Sequence, residues 1–161
     1  MREVSCSAPG RCGLLGNPTD MYGGTVISCS IDRRARVTIS PATELVLDTA
    51  GEKFTISNAD DYILRGDLFD VPRAVLGYFR GDNLHCRIQY SSNVPMSAGL
   101  SSSTALTVAM VYGVLVYLNQ LGNLYQVAEL ARYVELNHMR VICGYQDAYM
   151  CTFGKLNYLD F

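Results

Sequence analysis

The stretch ALTVAMVYGVLVYL, Ala105–Leu118, runs for fourteen residues without a charge. A helix at a protein surface carries one apolar stripe and one polar face, but this segment is apolar all round and must be covered on every side. It is also shorter than the roughly 20 residues that span a bilayer. The expectation is therefore a buried central helix, from about Ser102 to Leu121, around which the rest of the chain is arranged. With 161 residues, 49% hydrophobic and 17% charged, the chain is the size of one domain and can supply that cover.

The first half reads as strands. Arg2–Ser7 and Thr25–Ile31 have strand character, RARVTIS (Arg34–Ser40) alternates at period two, and ELVLD and KFTIS flank a turn at Thr49–Glu52. Together they suggest a meander. After the polar stretch Asn58–Gly66, DLFDVPRAVLGYFRG has apolar residues at helical spacing around Pro72, and Cys86–Tyr90 is a further strand. A second long helix is expected from Leu124 to about Asn137, its start marked by Gly122 and Asn123, and GKLNYLDF closes the chain as a returning strand. The fold class is α/β in the broad α+β sense, strand-rich first and helix-rich second, without repeat or linker.

A net charge of -2 and the lack of any block of like charges exclude a nucleic-acid footprint, which needs clustered Lys and Arg. The one basic cluster, Arg33, Arg34 and Arg36, reads as a solvated strand or turn. Cys6, Cys12, Cys29, Cys86, Cys143 and Cys151 lie far apart, without a CxxC pair or a nearby His at ligand spacing, and are read as reduced core thiols. MREVSCSAPGRC has no apolar signal-peptide core. These features point to a cytoplasmic protein without a membrane partner. His85 and His138 have no partner at motif spacing and are read as structural.

At the mouth of the central helix stands PMSAGLSSSTA, Pro95–Ala105. A helix N-terminus offers unpaired N–H groups and the positive end of the helix dipole, which suit a phosphate. Gly99 lets a ligand approach the backbone, and Ser101, Ser102 and Ser103 add hydroxyls for phosphate oxygens or Mg²⁺. The alternative is an ordinary serine N-cap with loop filler. It is neither a Walker loop, lacking that pattern's lysine, nor a nucleophile elbow, since Ser103 stands where Gly is required.

Two more stretches accompany this loop: APGRCGLLGNPTDMYGG (Ala8–Gly24) and GYQDAY (Gly144–Tyr149). In this combination the sequence resembles the GHMP kinases, the family of galactokinase, homoserine kinase, mevalonate kinase and phosphomevalonate kinase. Ala8-Pro9-Gly10-Arg11 with Gly16-Asn17-Pro18-Thr19-Asp20 resembles the family's first motif. Pro95, Gly99, Leu100, Ser102, Ser103 and Ala105 match its phosphate loop, with Ser101 replacing a glycine and Thr104 standing where Ala or Ser is usual. The GNPTD pattern and GYQDAYMCTFGKLNYLDF look closest to glucuronokinases and heptose-phosphate kinases, both acting on sugars.

The resemblance implies an N-terminal, ATP-binding GHMP domain over residues 1–161, with a fold like the second domain of ribosomal protein S5. Members are about twice as long, and a C-terminal α+β domain carrying a third glycine-rich motif would lie outside this chain. Such a domain would cover parts of the helix after Ser103 and of the strand ending at Phe161. The implied activity is ATP- and Mg²⁺-dependent phosphoryl transfer to a small sugar, with the anomeric hydroxyl as first choice. A heptose phosphate or a mevalonate-type alcohol, or a non-catalytic sugar and ATP sensor, are the alternatives. By resemblance, Asp147 is the general base, and Arg11 pairs with it while facing the γ-phosphoryl group. Pro95, Ser97, Ala98, Gly99, Leu100, Ser101, Ser102, Ser103, Thr104 and Ala105 hold the nucleotide. Ser102 or Ser103 with Glu135 hold Mg²⁺, Glu129 competing for that place. Asn17, Asp20, Tyr22 and Gly144 join Arg11 and Asp147 around the sugar, and Gly23 and Gly24 shape the same wall or simply turn the chain.

Overall fold

The computed structural model describes residues 3–80 and 84–161. Arg2, at the start of the first expected strand, and Gly81, at the end of the helical stretch around Pro72, lie outside the described residues. The elements run β1 (Val4–Leu15), β2 (Val26–Pro41), β3 (Leu45–Thr49), β4 (Glu52–Ile56), α1 (Asp70–Phe79), β5 (Cys86–Ser92), α2 (Ser102–Tyr117), α3 (Leu124–Asn137), α4 (Gln146–Phe153) and β6 (Leu156–Leu159), with 3-10 turns at Thr19–Tyr22 and Ala59–Tyr62.

The alternation in RARVTIS does what period two requires. Ala35, Val37 and Ile39 are buried on one face of β2, while Arg36 points to solvent. The two strands expected at Thr25–Ile31 and Arg34–Ser40 are one continuous strand, and β1 runs antiparallel to it from Val4↔Ile39 to Leu15↔Ile27. The first strand therefore extends well past Ser7 and carries the motif Ala8–Arg11. The register shifts between Pro9 and Arg11 and again between Gly13 and Leu15. Such bulges accommodate a proline, which has no N–H for the ladder, and turn the strand end.

The β3–β4 hairpin closes through a two-residue turn at Ala50-Gly51, both with positive φ, as a right-twisted hairpin requires. The expected meander is not formed. β5 inserts between β2 and β3, pairing antiparallel with the first and parallel with the second, so the order is β1-β2-β5-β3-β4. Parallel neighbours need a long crossover, and the segment from β4 through α1 provides it. β6 takes the free edge of the other half of β2, Val26↔Leu159 to Cys29↔Leu156.

Helix α2 packs on the buried face of this sheet with Ala105, Val108, Ala109, Met110, Val111, Val114 and Leu115 all in the core. The expectation that it presents a face to a second domain is not met: it is enclosed by the sheet and by α1, α3 and α4. It also stops at Tyr117, short of Leu121. Asn119 takes a left-handed conformation, its N–H bonds Val116 O and that of Gln120 bonds Leu115 O, a pattern that closes the last turn. The expected start of α3 is found, with the Asn123 side chain accepting from the Gln126 N–H. Helix α4 was not anticipated as a helix, because its eight residues are too few to display a periodicity. Among the cysteines, all free, only Cys86 and Cys151 are fully buried and the other four are half-buried, which corrects the expectation of six core thiols.

The surface left open lies at the other end of the sheet. Leu15, Leu156 and Tyr158 are each 65% exposed, and Leu15 and Tyr158 flank Ile27 across β2. No helix among the described residues is long and apolar enough to cross a membrane.

Asn123→Ala removes the side-chain cap of α3 and should cost about 1 kcal/mol, lowering the thermal midpoint by roughly 2–4 °C. Thermal unfolding of the variant beside the parent checks this, and an unchanged midpoint would mean that water caps the helix equally well.

Candidate active site

Arg11 sits near the end of the bulged part of β1 and is only 9% exposed. Its Nε donates to Asp147 Oδ1 at 2.7 Å, and Nη2 lies 2.5 Å from the same oxygen. Nη1 donates to the carbonyl of Gly99 at 2.8 Å, and the Arg11 backbone N–H donates to the carbonyl of Leu100 at 3.1 Å. One residue thus ties together β1, the loop before α2 and the first turn of α4. The bulge frees the Arg11 N–H from the ladder for this use. Asp147 is neither the N-cap of α4, a position held by Tyr145, nor fully buried, with its side chain 28% exposed. Nor is its pair with Arg11 a solvent-exposed one of small worth.

The loop between β5 and α2 is exposed from Pro95 to Gly99. Ser97, Gly99 and Ser101 have φ of 54°, 68° and 59°. Alternation of left-handed residues along a loop points successive N–H groups toward one side, a shape that receives anions. Nothing lies within 4 Å of the place a Gly99 side chain would occupy, so the glycine serves the backbone conformation and leaves that side open. Ser101 occupies the N-cap position without any side-chain cap, and its hydroxyl is buried without a partner among the described residues. The ordinary serine cap is therefore not what this loop forms. Ser102 Oγ is turned back to donate to Val94 O at 3.0 Å, whereas Ser103 is exposed and its hydroxyl makes no hydrogen bond among the described residues.

Behind the loop lies a buried carboxylate. Glu135 on α3 is 2% exposed and accepts a 2.8 Å hydrogen bond from Thr104 Oγ1 in the first turn of α2. Burial pushes its pKa from 4.5 up to about 7, opposed by the Thr104 hydroxyl and reinforced by the charge of Asp147. Thr104, which departs from the usual small residue, thus holds α2 to α3. Glu129 is elsewhere: it is on the outer side of α3, accepting from Tyr149 Oη at 2.5 Å. Six positions along a helix set the two carboxylates about 120° apart around α3 and about 9 Å apart along it. Among the described residues, no group of three or more His, Cys, Asp or Glu side chains could hold a metal on its own.

The far end of the site is formed where the turn Thr19–Tyr22 meets α4. Asp20 is 4% exposed, and its Oδ2 accepts from the backbone N–H of both Tyr145 and Gln146, at 2.8 and 2.9 Å. Gly144 lies so close against this carboxylate that any side chain there would collide with it. Asn17 is exposed beside Gly13, and Tyr22 is 84% exposed on the rim. Three residues of this wall were not picked out from the sequence. Gln146 is 1% exposed, with both ends of its amide unpaired among the described residues. Arg132 donates Nε to Gly144 O at 3.0 Å and stacks on the Tyr145 ring at 3.8 Å, and Phe161 stacks on Tyr145 and meets Tyr149 edge-on. Gln146 could have been found from its place inside GYQD, but nothing in the sequence marks Arg132. His85 and His138 do stand apart, the first on Thr43 O, the second against the Tyr78 and Tyr133 rings.

The family model described as the GHMP kinases N terminal domain matches residues 68–155, and the galactokinase galactose-binding signature matches residues 2–41. A galactokinase of Thermosipho africanus (strain TCF52B) is 30% identical over 167 residues, covering 98% of this chain and 46% of the relative. A galactokinase of Roseiflexus sp. (strain RS-1) is 34% identical over 174 residues, covering 97% of this chain and 42% of the relative. The chain thus spans less than half the length of these curated relatives. Among solved structures, a D-glycero-D-manno-heptose 1-phosphate kinase from Bacteriodes thetaiotaomicron superposes with a TM-score of 0.83 at 24% identity, over 98% of this chain and 56% of that one.

Glu135 yields a pH test. Its folded pKa of about 7 lies above its unfolded 4.5, so the folded state holds the extra proton between those values. The stability this contributes is complete below the unfolded pKa and is lost as pH rises through the folded one. The difference in thermal midpoint between parent and Glu135→Gln, measured free of nucleotide and metal, should therefore shift against the parent as pH rises from about 5 to about 7.5. Parallel curves across that window would show that Glu135 is ionised in the fold.

Proposed function

Because the chain belongs to the GHMP kinases through their N-terminal domain, we propose that it forms the nucleotide-binding half of an ATP-dependent sugar kinase, one that phosphorylates a hydroxyl of a small sugar, the anomeric hydroxyl first. The observation that carries this reading is the double attachment of Arg11, to Asp147 on one side and to the carbonyls of Gly99 and Leu100 on the other. It joins a potential proton acceptor to a loop suited to phosphates, and a module that only bound ATP would not need that base.

In this reading the uncapped N–H groups at the start of α2 and the loop Ser97–Ser103 receive the nucleotide phosphates. Arg11 occupies Asp147 Oδ1, which leaves Oδ2 to accept the proton of the acceptor hydroxyl. The new bond forms between the acceptor oxygen and the γ-phosphorus, the bond from that phosphorus to the β,γ-bridging oxygen breaks, and ADP leaves. The guanidinium fixes the carboxylate and adds positive charge beside the developing phosphoryl charge. The donors present fit Mg²⁺: Ser103 offers a free hydroxyl, Ser102 keeps oxygen lone pairs, and the buried Glu135 beside Asp147 forms a pair of acids that a hard cation would relieve. When bound, the ion would neutralise charge on the β- and γ-phosphates.

The galactose-binding signature and the galactokinase relatives support a sugar acceptor. The GNPTD sequence around Asn17 looks closest to glucuronokinases, so a glucuronate is the first acceptor in this reading. A heptose phosphate, by the same sequence resemblance, is the second reading. The open strip at Leu15, Leu156 and Tyr158 is where we place contact with a C-terminal domain.

The test is a panel of free and phosphorylated sugars, with mevalonate, in a coupled ADP-release assay on the protein joined to its C-terminal domain. Sugar-dependent turnover is expected, and ATP binding without turnover on any acceptor would favour the sensor. On the same protein, Asp147→Asn should lower kcat by about a hundredfold or more while ATP binding survives. A rate within a few-fold of the parent would make Asp147 structural. Gly99→Val places a β-branched side chain at a positive φ on the open side of the loop, and should weaken ATP binding with the fold intact. Unchanged affinity would remove the loop from the nucleotide site.

A further inference from the structure

Asp20 was expected at the acceptor, yet its carboxylate is turned inward. The α4 helix has no side-chain cap of its own, and Tyr145, which precedes it, cannot supply one. The acceptor for its first free N–H groups comes from 125 residues earlier in the chain, as Asp20 Oδ2. A negative charge at the positive end of a helix, accepting two N–H bonds from a buried position, is the strongest form that such a cap takes. Gly144 is required for it, because a side chain there would displace the carboxylate. From the opposite side Arg132 holds the Gly144 carbonyl and lies flat on Tyr145. The peptide run Gly144–Gln146 is thus gripped on both sides, and Asp147 is the next residue.

We propose that Asp20 is a positioning residue: it caps α4 across the site and so sets where Asp147 stands relative to Arg11 and the loop before α2. This rests on the reading of Asp147 as the general base, but the cap itself does not. Asp20 acts through the helix backbone. A general base displaced by a fraction of its hydrogen-bond length loses much of its rate contribution, so the position of Asp147 is where the cap matters to turnover. The GNPTD motif then serves a second purpose besides lining the wall beside Asn17.

Two readouts on Asp20→Ala and Asp20→Asn test this. Amide hydrogen exchange on the 161-residue chain needs no activity: in Asp20→Ala the Tyr145 and Gln146 amides should exchange about tenfold faster or more, as loss of a helix cap implies, while Asp20→Asn, which keeps one accepting oxygen, restores most of the protection. Kinetics on the two-domain protein should then show kcat falling by about tenfold or more in Asp20→Ala with acceptor KM within about threefold, and the Asn variant recovering most of the loss. If the alanine variant does not fold, Asp20→Glu, which keeps the charge but moves it by one methylene, carries the same comparison of kcat with KM. Unchanged protection of the two amides would overturn the proposal, as would an acceptor KM raised tenfold at a preserved kcat, or an Asn variant no better than Ala. A parent without sugar-dependent turnover, but with the exchange pattern expected, would overturn the kinase reading and leave the cap standing.

Discussion

The site depends first on where one guanidinium is held. Arg11 reaches three segments that are far apart in sequence, and each contact uses a different part of the residue: Nε and Nη2 for Asp147, Nη1 for Gly99, the backbone N–H for Leu100. Removing the positive charge would leave Asp147 without its partner, and the loop before α2 would lose its anchor at Gly99, keeping only the backbone bond from Arg11 to Leu100. The rigid fork of arginine is suited to such a junction, because its donors are fixed relative to one another and a shift in one segment is felt by the others. A lysine at this place would have one point charge and could not satisfy the same set.

The junction is possible because β1 does not remain a regular strand. The bulge at Pro9 to Arg11 turns a backbone N–H out of the ladder, and the central position of α2 brings that N–H to the loop. Irregularity of backbone is concentrated in the same place: positive φ at Ser97, Gly99 and Ser101, an uncapped helix start, and buried polar atoms on Ser101 and Gln146 without partners. Other irregularities lie elsewhere among the described residues, such as positive φ at Arg80, Arg140 and Lys155, whereas the start of α3 and the end of α2 are closed by the Asn123 cap and the turn after Tyr117. Costs of this kind persist where the surrounding packing over-determines them, and here the enclosed α2 supplies that packing.

The carboxylates of Asp147, Glu135 and Asp20 are separated by environment. Glu135 lies deep, with burial holding its pKa near neutrality, Asp20 is committed to two backbone N–H groups, and Asp147 keeps an exposed edge. Three acidic residues in one neighbourhood can therefore have three different tasks. What differs is which atoms each already has in contact, and this is a property of the packing around them.

The features legible in the sequence are those written in local terms. Fourteen uncharged residues in a row required an enclosed helix whatever surrounded it, and the alternation of RARVTIS set which side chains face the core. The Asn123 cap, the Thr49–Glu52 turn and the glycine- and serine-rich loop before α2 were likewise visible, since each depends on neighbours a few residues apart. The pairing of β5 between β2 and β3, the fusion of two expected strands into β2, the short α4, and the turning of Asp20 onto Tyr145 and Gln146 were not. The pairing of β5 and the turning of Asp20 are contacts between distant segments, whose closure entropy is repaid only when the rest of the core has formed, while α4 is too short to display a periodicity. Arg11, Asp147 and the loop before α2 could be singled out from the sequence and Arg132 could not, and which of these residues touch, and through which atoms, was decided by the packing around α2.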